Sequence, residues 1–204
     1  MREVDLPTAI EVLRRGEILV YPTETCYGLG VDIAHPKAQE ALFRLKGREA
    51  GKAVSLLLAE PKQCEDLLSE PSDNLLNLIN KFLPGPLTVV ARASAKVPKA
   101  WTSEGGWVGL RVSPHPLARQ LAAGFGGPLT TTSANPSGAP SARSRRELEA
   151  YFGAREDVYF LPGGDLPPSL GSTVVRVEGD RLTLLRAGDI PFAELEKYWS
   201  QPQA

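Results

Sequence analysis

The sequence predicts one domain of mixed helix and strand, α/β or α+β, built around a mixed sheet. Short apolar runs of strand length alternate along the chain with amphipathic stretches of helix length. The chain has 18 prolines and 19 glycines, which punctuate these short elements, and it contains no repeat, linker or low-complexity tract. A length of 204 residues fits a single domain with a substantial core.

The elements of the first half follow from local patterns. In chain order we expect the helix Leu6–Arg15, the strand Glu17–Tyr21, the helix Pro36–Leu45, the strand Ala53–Leu58 and the helix Asp73–Phe82. Asp5 is placed to cap the first helix, with Pro7 in its first turn. In the second helix apolar residues recur at i, i+3, i+4 and i+7 from Ala38, and Gly47 is a stop signal.

The second half continues the alternation. In chain order we expect the strands Leu87–Ala91 and Val108–Val112, the helix Pro116–Ala123, the strand Leu129–Thr132, a helix ending near Phe152, the strands Thr173–Val177 and Arg181–Leu185, and a last helix Pro191–Trp199. Ser144 and Glu147 have the spacing of a capping box at the start of the Phe152 helix. The turn at 178–180 predicts that the two late strands form a hairpin.

Composition excludes several classes of protein. The net charge of −1 argues against a histone-like protein that coats nucleic acid. Cys26 and Cys64 cannot make a disulfide framework and lack metal-ligand spacing, which favours a reducing compartment. The N-terminus has no apolar signal core, and no apolar run is long enough to span a membrane. We therefore expect a cytoplasmic protein.

Three polar segments, Tyr21–Gly30, Lys46–Lys52 and Thr130–Gly138, indicate a site for phosphate groups. The middle segment places Lys46, Arg48 and Lys52 beside two glycines, and such cations make charge-assisted hydrogen bonds to phosphate. It is not a P-loop, because the glycine spacing is one residue short and an alanine stands where Ser or Thr should bind magnesium. A solvated surface loop is the alternative interpretation of these three cations.

Two further groups of polar residues each have two interpretations. The run from Thr131 to Asn135 follows a predicted strand, where ligands bind in α/β sheets, but a Ser/Thr/Asn turn would have the same composition. Arg143, Arg145 and Arg146 form either a local basic face or a solvated helix start. No pattern supports a protein-bound metal site.

Seven motifs together resemble one family, the threonylcarbamoyl-AMP synthases with their YrdC-type domain. In order they are Tyr21–Gly30, Lys46–Arg48, Pro84–Thr88, Gly109–Val112, Ser133–Gly138, Ser172–Val174 and Leu185–Gly188. The resemblance runs from about residue 5 to 190 and implies a single YrdC-like domain over residues 1–204, with a C-terminal helix at 191–199. It implies an α/β fold in which a twisted, mostly mixed sheet is flanked by helices and forms a concave, positively charged cavity.

The resemblance also implies a reaction. L-threonine, bicarbonate or CO2, and ATP give threonylcarbamoyl-adenylate and pyrophosphate, and Mg2+ is expected to arrive with ATP. The product feeds the t6A modification of tRNA through a separate transferase complex. The rival hypothesis is a YrdC-fold protein that binds double-stranded RNA or nucleotide without synthase activity.

The family pattern assigns roles to individual positions. The triphosphate and catalytic residues are expected to be Lys46, Arg48 and Lys52. Four more residues are expected to join Arg48 and Lys52 in the ATP site: Ser133, Asn135, Ser141 and Arg186. The expected threonine-binding residues are Thr25, Arg111, Thr131 and Ser172. The chain departs from the pattern at Glu49, Ala53 and Leu57, the last standing where relatives have a histidine that can face threonine.

Overall fold

The computed structural model describes residues 1–35, 37–47 and 54–201. The strands of this part of the chain are β1 (Arg2–Glu3), β2 (Ile18–Pro22), β3 (Tyr27–Gly30), β4 (Ser55–Leu57), β5 (Leu87–Arg92), β6 (Trp107–Arg111), β7 (Leu129–Ser133), β8 (Val158–Phe160), β9 (Thr173–Glu178) and β10 (Arg181–Arg186). Its α-helices are α1 (Leu6–Arg14), α2 (Ala38–Lys46), α3 (Gln63–Leu67), α4 (Asp73–Phe82), α5 (Pro116–Phe125), α6 (Arg145–Phe152) and α7 (Phe192–Trp199).

The strands form one mixed sheet in the order β1-β8-β2-β3-β7-β4-β6-β5-β9-β10. At its centre β4 runs parallel to β6 and antiparallel to β7. Ser55 of β4 therefore lies opposite both Gly109 and Thr131. This register brings segments that are far apart in the sequence to adjacent positions on the sheet.

The sheet carries a hydrophobic core on each face. The larger core includes Leu42 of α2, Leu78 of α4 and Leu195 of α7. The smaller core includes Val12 of α1 and Leu121 of α5. Side chains of adjacent strand residues point to opposite faces, so Leu56 packs in the larger core and Leu57 in the smaller one.

The residues that the sequence predicts at helix ends make the expected contacts. The Asp5 side chain accepts a hydrogen bond from the Thr8 amide at 2.9 Å, capping α1. Ser144 and Glu147 form the reciprocal contacts of a capping box at α6. Gly47 ends α2 with φ of 59°, a conformation that glycine adopts without strain. The mixed α/β sheet flanked by helices is confirmed.

Four elements were not predicted: β1, β3, β8 and α3. All four are short, and within the described residues β1 and β8 pair only with each other and with β2, at one edge of the sheet. The predicted start of α2 at Pro36 and of β4 at Ala53 falls on residues outside the described ranges. Within those ranges, no helix is long and apolar enough to cross a membrane.

Candidate active site

A cavity of about 370 Å³ opens on the face of the sheet that also carries the smaller core. Thr25 and Cys26 line it from the β2–β3 turn, Arg111 from the end of β6, and Arg186 from the end of β10. The other lining residues are Thr23, Gly28, Val54, Ser55, Thr88, Thr131, Thr132, Ser133, Ser141, Arg143, Ser169, Leu170, Gly171, Ser172 and Val174. Three arginines and no described carboxylate line this space, so its chemistry suits an anion.

The floor of the cavity depends on Gly109 at the centre of β6. A Cβ atom at this position would lie 2.7 Å from the Ser55 hydroxyl oxygen and 3.3 Å from the Thr88 methyl carbon. Any larger residue would push these two cavity-lining side chains aside. The glycine therefore keeps the hydroxyl groups of neighbouring strands close together.

Arg111 is a buried cation at the cavity wall, with 7% of its surface exposed. Its Nη2 donates to a carboxylate oxygen of Glu24 and, at 3.5 Å, to the Thr25 hydroxyl oxygen. Its Nε is buried and has no hydrogen-bond partner among the residues that the structure describes. A buried donor of this kind gains from a ligand that supplies an acceptor.

Arg186 and Ser172 form a second polar wall. Nη2 of Arg186 lies 2.9 Å from both the carbonyl oxygen and the hydroxyl oxygen of Ser172, and Nε lies 3.3 Å from the same carbonyl. The Ser172 hydroxyl also lies 2.9 Å from that of Thr88. These contacts aim one guanidinium and two hydroxyl groups at the cavity.

The two arginine walls interact electrostatically. Burial, together with the nearby positive charge of Arg111, lowers the pKa of Arg186 from its ordinary value. The like charges raise each other's free energy, although arginine stays protonated at neutral pH. An anion between them would relieve this repulsion.

Comparison with known proteins agrees with this geometry. A model of the Sua5/YciO/YrdC family, whose description is telomere recombination, matches residues 11–188. The chain belongs to this family.

Relatives of known name include threonylcarbamoyl-AMP synthases from three organisms. The Halorhodospira halophila protein is 40% identical over 74% of this chain and 78% of its own length. The Coxiella burnetii protein is 35% identical over 86% of this chain and 95% of its own length. The Pyrococcus abyssi protein is 33% identical over 97% of this chain, which spans only 58% of that longer relative.

Solved structures agree with the family assignment. Pyrococcus abyssi Sua5 complexed with L-threonine matches with a TM-score of 0.88 at 31% identity, covering 97% of this chain and 60% of that one. Escherichia coli YciO matches with a TM-score of 0.81 at 24% identity, covering 92% of this chain and 93% of that one, and so supports the fold. The YrdC-like fold expected from the sequence motifs is confirmed.

The structure brings seven of the expected site residues to the cavity of this chain. They are Thr25, Arg111, Thr131 and Ser172 from the threonine set, and Ser133, Ser141 and Arg186 from the ATP set. Arg48 and Lys52 lie outside the described residues, as do Glu49 and Ala53. The roles of all these residues stay predictions.

Lys46 and Asn135 lie behind the cavity wall. The Lys46 ammonium donates to the carbonyl oxygens of Ser133, at 2.5 Å, and Asn135, at 3.0 Å. The Asn135 amide nitrogen donates to the carbonyls of Pro136 and Ala139, at 2.9 and 2.6 Å. Both side chains thus brace the loop that follows β7, and neither is among the residues that line the cavity.

Leu57 also has a different environment from the one that the family pattern suggests. It is fully buried in the smaller core and does not line the cavity. The β4 residue whose side chain lines the cavity is Ser55. In this chain, position 57 therefore contributes an apolar side chain to the smaller core.

Sequence reasoning missed several polar groups of the site. Thr88 and Arg143 line the cavity, and Glu24 holds Arg111 from one side. Glu24 lies inside the first motif, but its residue type alone is equally consistent with a turn residue. Among the described residues no cluster of three or more His, Cys, Asp and Glu side chains could hold a metal ion.

The cluster of arginines near α6 does not form one basic face. Arg143 lines the cavity and donates to the Ser169 carbonyl at 3.0 Å. Arg145 forms exposed ion pairs with Glu3 and Glu149. Since these pairs offset the charge of Arg145, the structure gives the RNA-binding hypothesis little support.

Proposed function

We propose that this chain is a threonylcarbamoyl-AMP synthase, a nucleotidyltransferase that joins L-threonine, CO2 from bicarbonate, and the adenylate of ATP. The observation that carries this proposal is the meeting, in one cavity, of the whole predicted threonine set with Ser133, Ser141 and Arg186 of the predicted ATP set. The names of the relatives support it. The rival hypothesis, an RNA-binding protein without synthase activity, has no comparable support.

Threonine is expected to bind at the Arg111 wall. A carboxylate there would accept charge-assisted hydrogen bonds from the guanidinium of Arg111, which lines the cavity. The hydroxyl groups of Thr25 and Thr131 lie at the same wall and offer polar contacts to the rest of the amino acid. The amine would then point into the cavity, towards CO2 and the nucleotide.

ATP is expected to bind against Arg186, Ser133 and Ser141, which line the same cavity. Arg48 and Lys52 are assigned to the triphosphate from the sequence motif, and Lys46 and Asn135 hold the loop that carries Ser133. Together with Arg111 and Arg143, these cations would make the cavity positively charged. Mg2+ would enter as the ATP complex.

The chemistry needs positioning and charge stabilisation rather than a covalent nucleophile. The neutral threonine amine attacks CO2 and loses a proton, which gives a carbamate. A carbamate oxygen then attacks the α-phosphorus of ATP, and the bond from that phosphorus to the bridging oxygen breaks as pyrophosphate leaves. Charge develops on phosphate oxygens, where fixed guanidinium and hydroxyl groups lower the barrier.

The product is a reactive mixed anhydride, so a second enzyme must consume it quickly. We infer that a threonylcarbamoyl transferase complex receives it and completes the t6A modification of tRNA. Because tRNA modification takes place where tRNA is present, we infer that the protein works in the cytoplasm. Direct contact with tRNA is not needed for the adenylation step.

The proposal is tested by incubating the purified protein with L-threonine, bicarbonate, ATP and Mg2+, and measuring pyrophosphate. We expect release that depends on threonine and bicarbonate and that falls when serine replaces threonine. Pyrophosphate release that is absent, or unchanged without threonine, would refute synthase activity. Binding of double-stranded RNA with steep salt dependence in such an inactive protein would favour the rival.

A further inference from the structure

Glu24 is a half-buried carboxylate that bridges two side chains behind the cavity wall. One of its oxygens accepts from Nη2 of Arg111, and the other accepts from the hydroxyl of Ser113. The Glu24 and Arg111 side chains are only 16% and 8% exposed. Ion pairs with so little solvent around them restrict geometry more than exposed pairs do.

The position of Glu24 shows that it is not among the side chains that line the cavity. Arg111 lines the cavity, whereas Glu24 and Ser113 do not. Glu24 therefore contacts the guanidinium from outside the cavity. Glu24 is contacted by Nη2 of Arg111, whereas Nε is buried and makes no hydrogen bond with the described residues.

Hydrogen bonds behind Glu24 fix its orientation. The Ser113 hydroxyl oxygen accepts from the His115 amide at 3.2 Å, so its own hydrogen is directed to Glu24. The His115 ring accepts from the Leu117 amide at 3.3 Å through Nδ1, at the start of α5. Burial lowers the pKa of His115, and the nearby Glu24 carboxylate opposes part of this shift.

We propose that Glu24, held by Ser113, is a positioning residue that orients Arg111 towards the carboxylate of the amino-acid substrate. This inference rests on the proposed synthase function. Glu24 also offsets the charge of Arg111. The choice of ligand at this wall then depends more on the direction of the guanidinium donors than on general attraction between Arg111 and an anion. The wall therefore favours ligands that have a free α-carboxylate.

Threonine and threoninamide provide a test, because they differ little in size and only threonine has the carboxylate. Calorimetric titration of the purified protein with each ligand, with ATP present and with bicarbonate and CO2 excluded to prevent turnover, gives a discrimination ratio. We expect Glu24→Gln to lower threonine affinity by about tenfold or more, the scale of a charge-assisted hydrogen bond, and to leave threoninamide affinity nearly unchanged. The ratio of threonine affinity to threoninamide affinity should therefore fall by about tenfold or more.

Two further variants separate positioning from a loss of stability. Glu11→Gln removes an exposed carboxylate that pairs with Arg14 at 2.7 Å, and should preserve the ratio. Ser113→Ala leaves the Glu24–Arg111 ion pair but removes its support, and should lower the ratio part of the way. Ser113→Ala decides the test if Glu24→Gln does not fold.

The outcomes are distinguishable from failure of the proposed function. If the unaltered protein discriminates between the ligands and Glu24→Gln keeps the same ratio, only the role of Glu24 is overturned, even if the variant melts at a lower temperature. If the unaltered protein binds no threonine, the synthase proposal and this inference both fail.

Discussion

Arg186 is fixed to Ser172 by two contacts of equal length, from Nη2 to the carbonyl oxygen and to the hydroxyl oxygen at 2.9 Å. Arg186 ends β10 and Ser172 precedes β9, so the antiparallel pairing of these strands brings them together. The contacts hold a cation at the cavity wall in a defined orientation. A guanidinium held in this way is ready to bind phosphate without further ordering.

Replacing Arg186 tests its assignment to ATP. We expect Arg186→Ala to raise KM for ATP by about tenfold or more, because a charge-assisted contact to phosphate is lost, and to change KM for threonine less. Arg186→Lys should restore part of the affinity, since lysine keeps the positive charge but cannot make the two parallel hydrogen bonds of a guanidinium. The measurement is steady-state kinetics with each substrate varied.

Arg181→Ala is the matched control, since Arg181 lies at the exposed start of the same strand. It should leave both KM values unchanged. An Arg186→Ala variant with the same KM for ATP as the unaltered protein would remove Arg186 from the nucleotide site.

Lys46 is predicted to stabilise the loop after β7. Lys46→Met removes the donor to the Ser133 and Asn135 carbonyls and should lower the free energy of unfolding by about 1–3 kcal/mol. Chemical denaturation measures this change, and Lys62→Met is the exposed control. A loss of turnover with unchanged stability would instead support the catalytic role expected from the sequence.

The two cysteines should differ in reactivity. Cys26 is partly exposed and lines the cavity, whereas Cys64 is buried and burial raises its pKa to about 12. Because thiolates are the reactive form, Cys64 should stay unlabelled by iodoacetamide in the folded protein at neutral pH. Mass spectrometry should locate the label on Cys26, and ATP with threonine should slow its attachment.

A matched variant identifies the labelled thiol. Cys26→Ser should remove the label and Cys64→Ala should keep it. Rapid labelling of Cys64 in the folded protein would contradict its placement in the larger core. Labelling of Cys26 at an unchanged rate with both substrates bound would contradict their placement beside it.

Gly188 explains why the last sequence motif ends in glycine. A Cβ atom here would lie 2.3 Å from the Thr173 amide nitrogen and 2.4 Å from the Gly171 carbonyl oxygen. Neither backbone atom can move as a side chain would, so Gly188→Ala should lower the unfolding free energy by at least about 2 kcal/mol. Gly127→Ala, whose Cβ would approach only the Phe125 ring at 3.4 Å, is the control for thermal unfolding. Equal melting temperatures for the two variants would contradict the backbone contact.

The sequence predicted those parts of the fold that depend on local chemistry. Asp5, Ser144 and Gly47 mark helix ends because a single side chain or a single φ angle decides them. The glycine-rich strand β3 was missed because Tyr27–Gly30 has no strand-like alternation, and its conformation comes from pairing with β2 and β7. Long-range pairing of this kind leaves little trace in a local pattern.

In the site, too, the sequence predicted some residues and not others. Motifs identified Thr25, Arg111, Ser172 and Arg186, and the structure brings all four to one cavity. The bracing roles of Lys46 and Asn135 could not be predicted, because residue type alone does not distinguish a phosphate ligand from a donor to a carbonyl. The contact between Glu24 and Ser113 was equally hidden, since 89 residues separate them in the sequence.

The synthase proposal is tested most directly by following labelled carbon from bicarbonate. The purified protein, given labelled bicarbonate, L-threonine, ATP and Mg2+, should incorporate the label into a product that also contains the adenosine of ATP. Product formation should cease without threonine and fall sharply in Arg111→Ala. Hydrolysis of ATP with no labelled adenosine-containing product would contradict the proposal that threonine, CO2 and ATP are joined in this cavity.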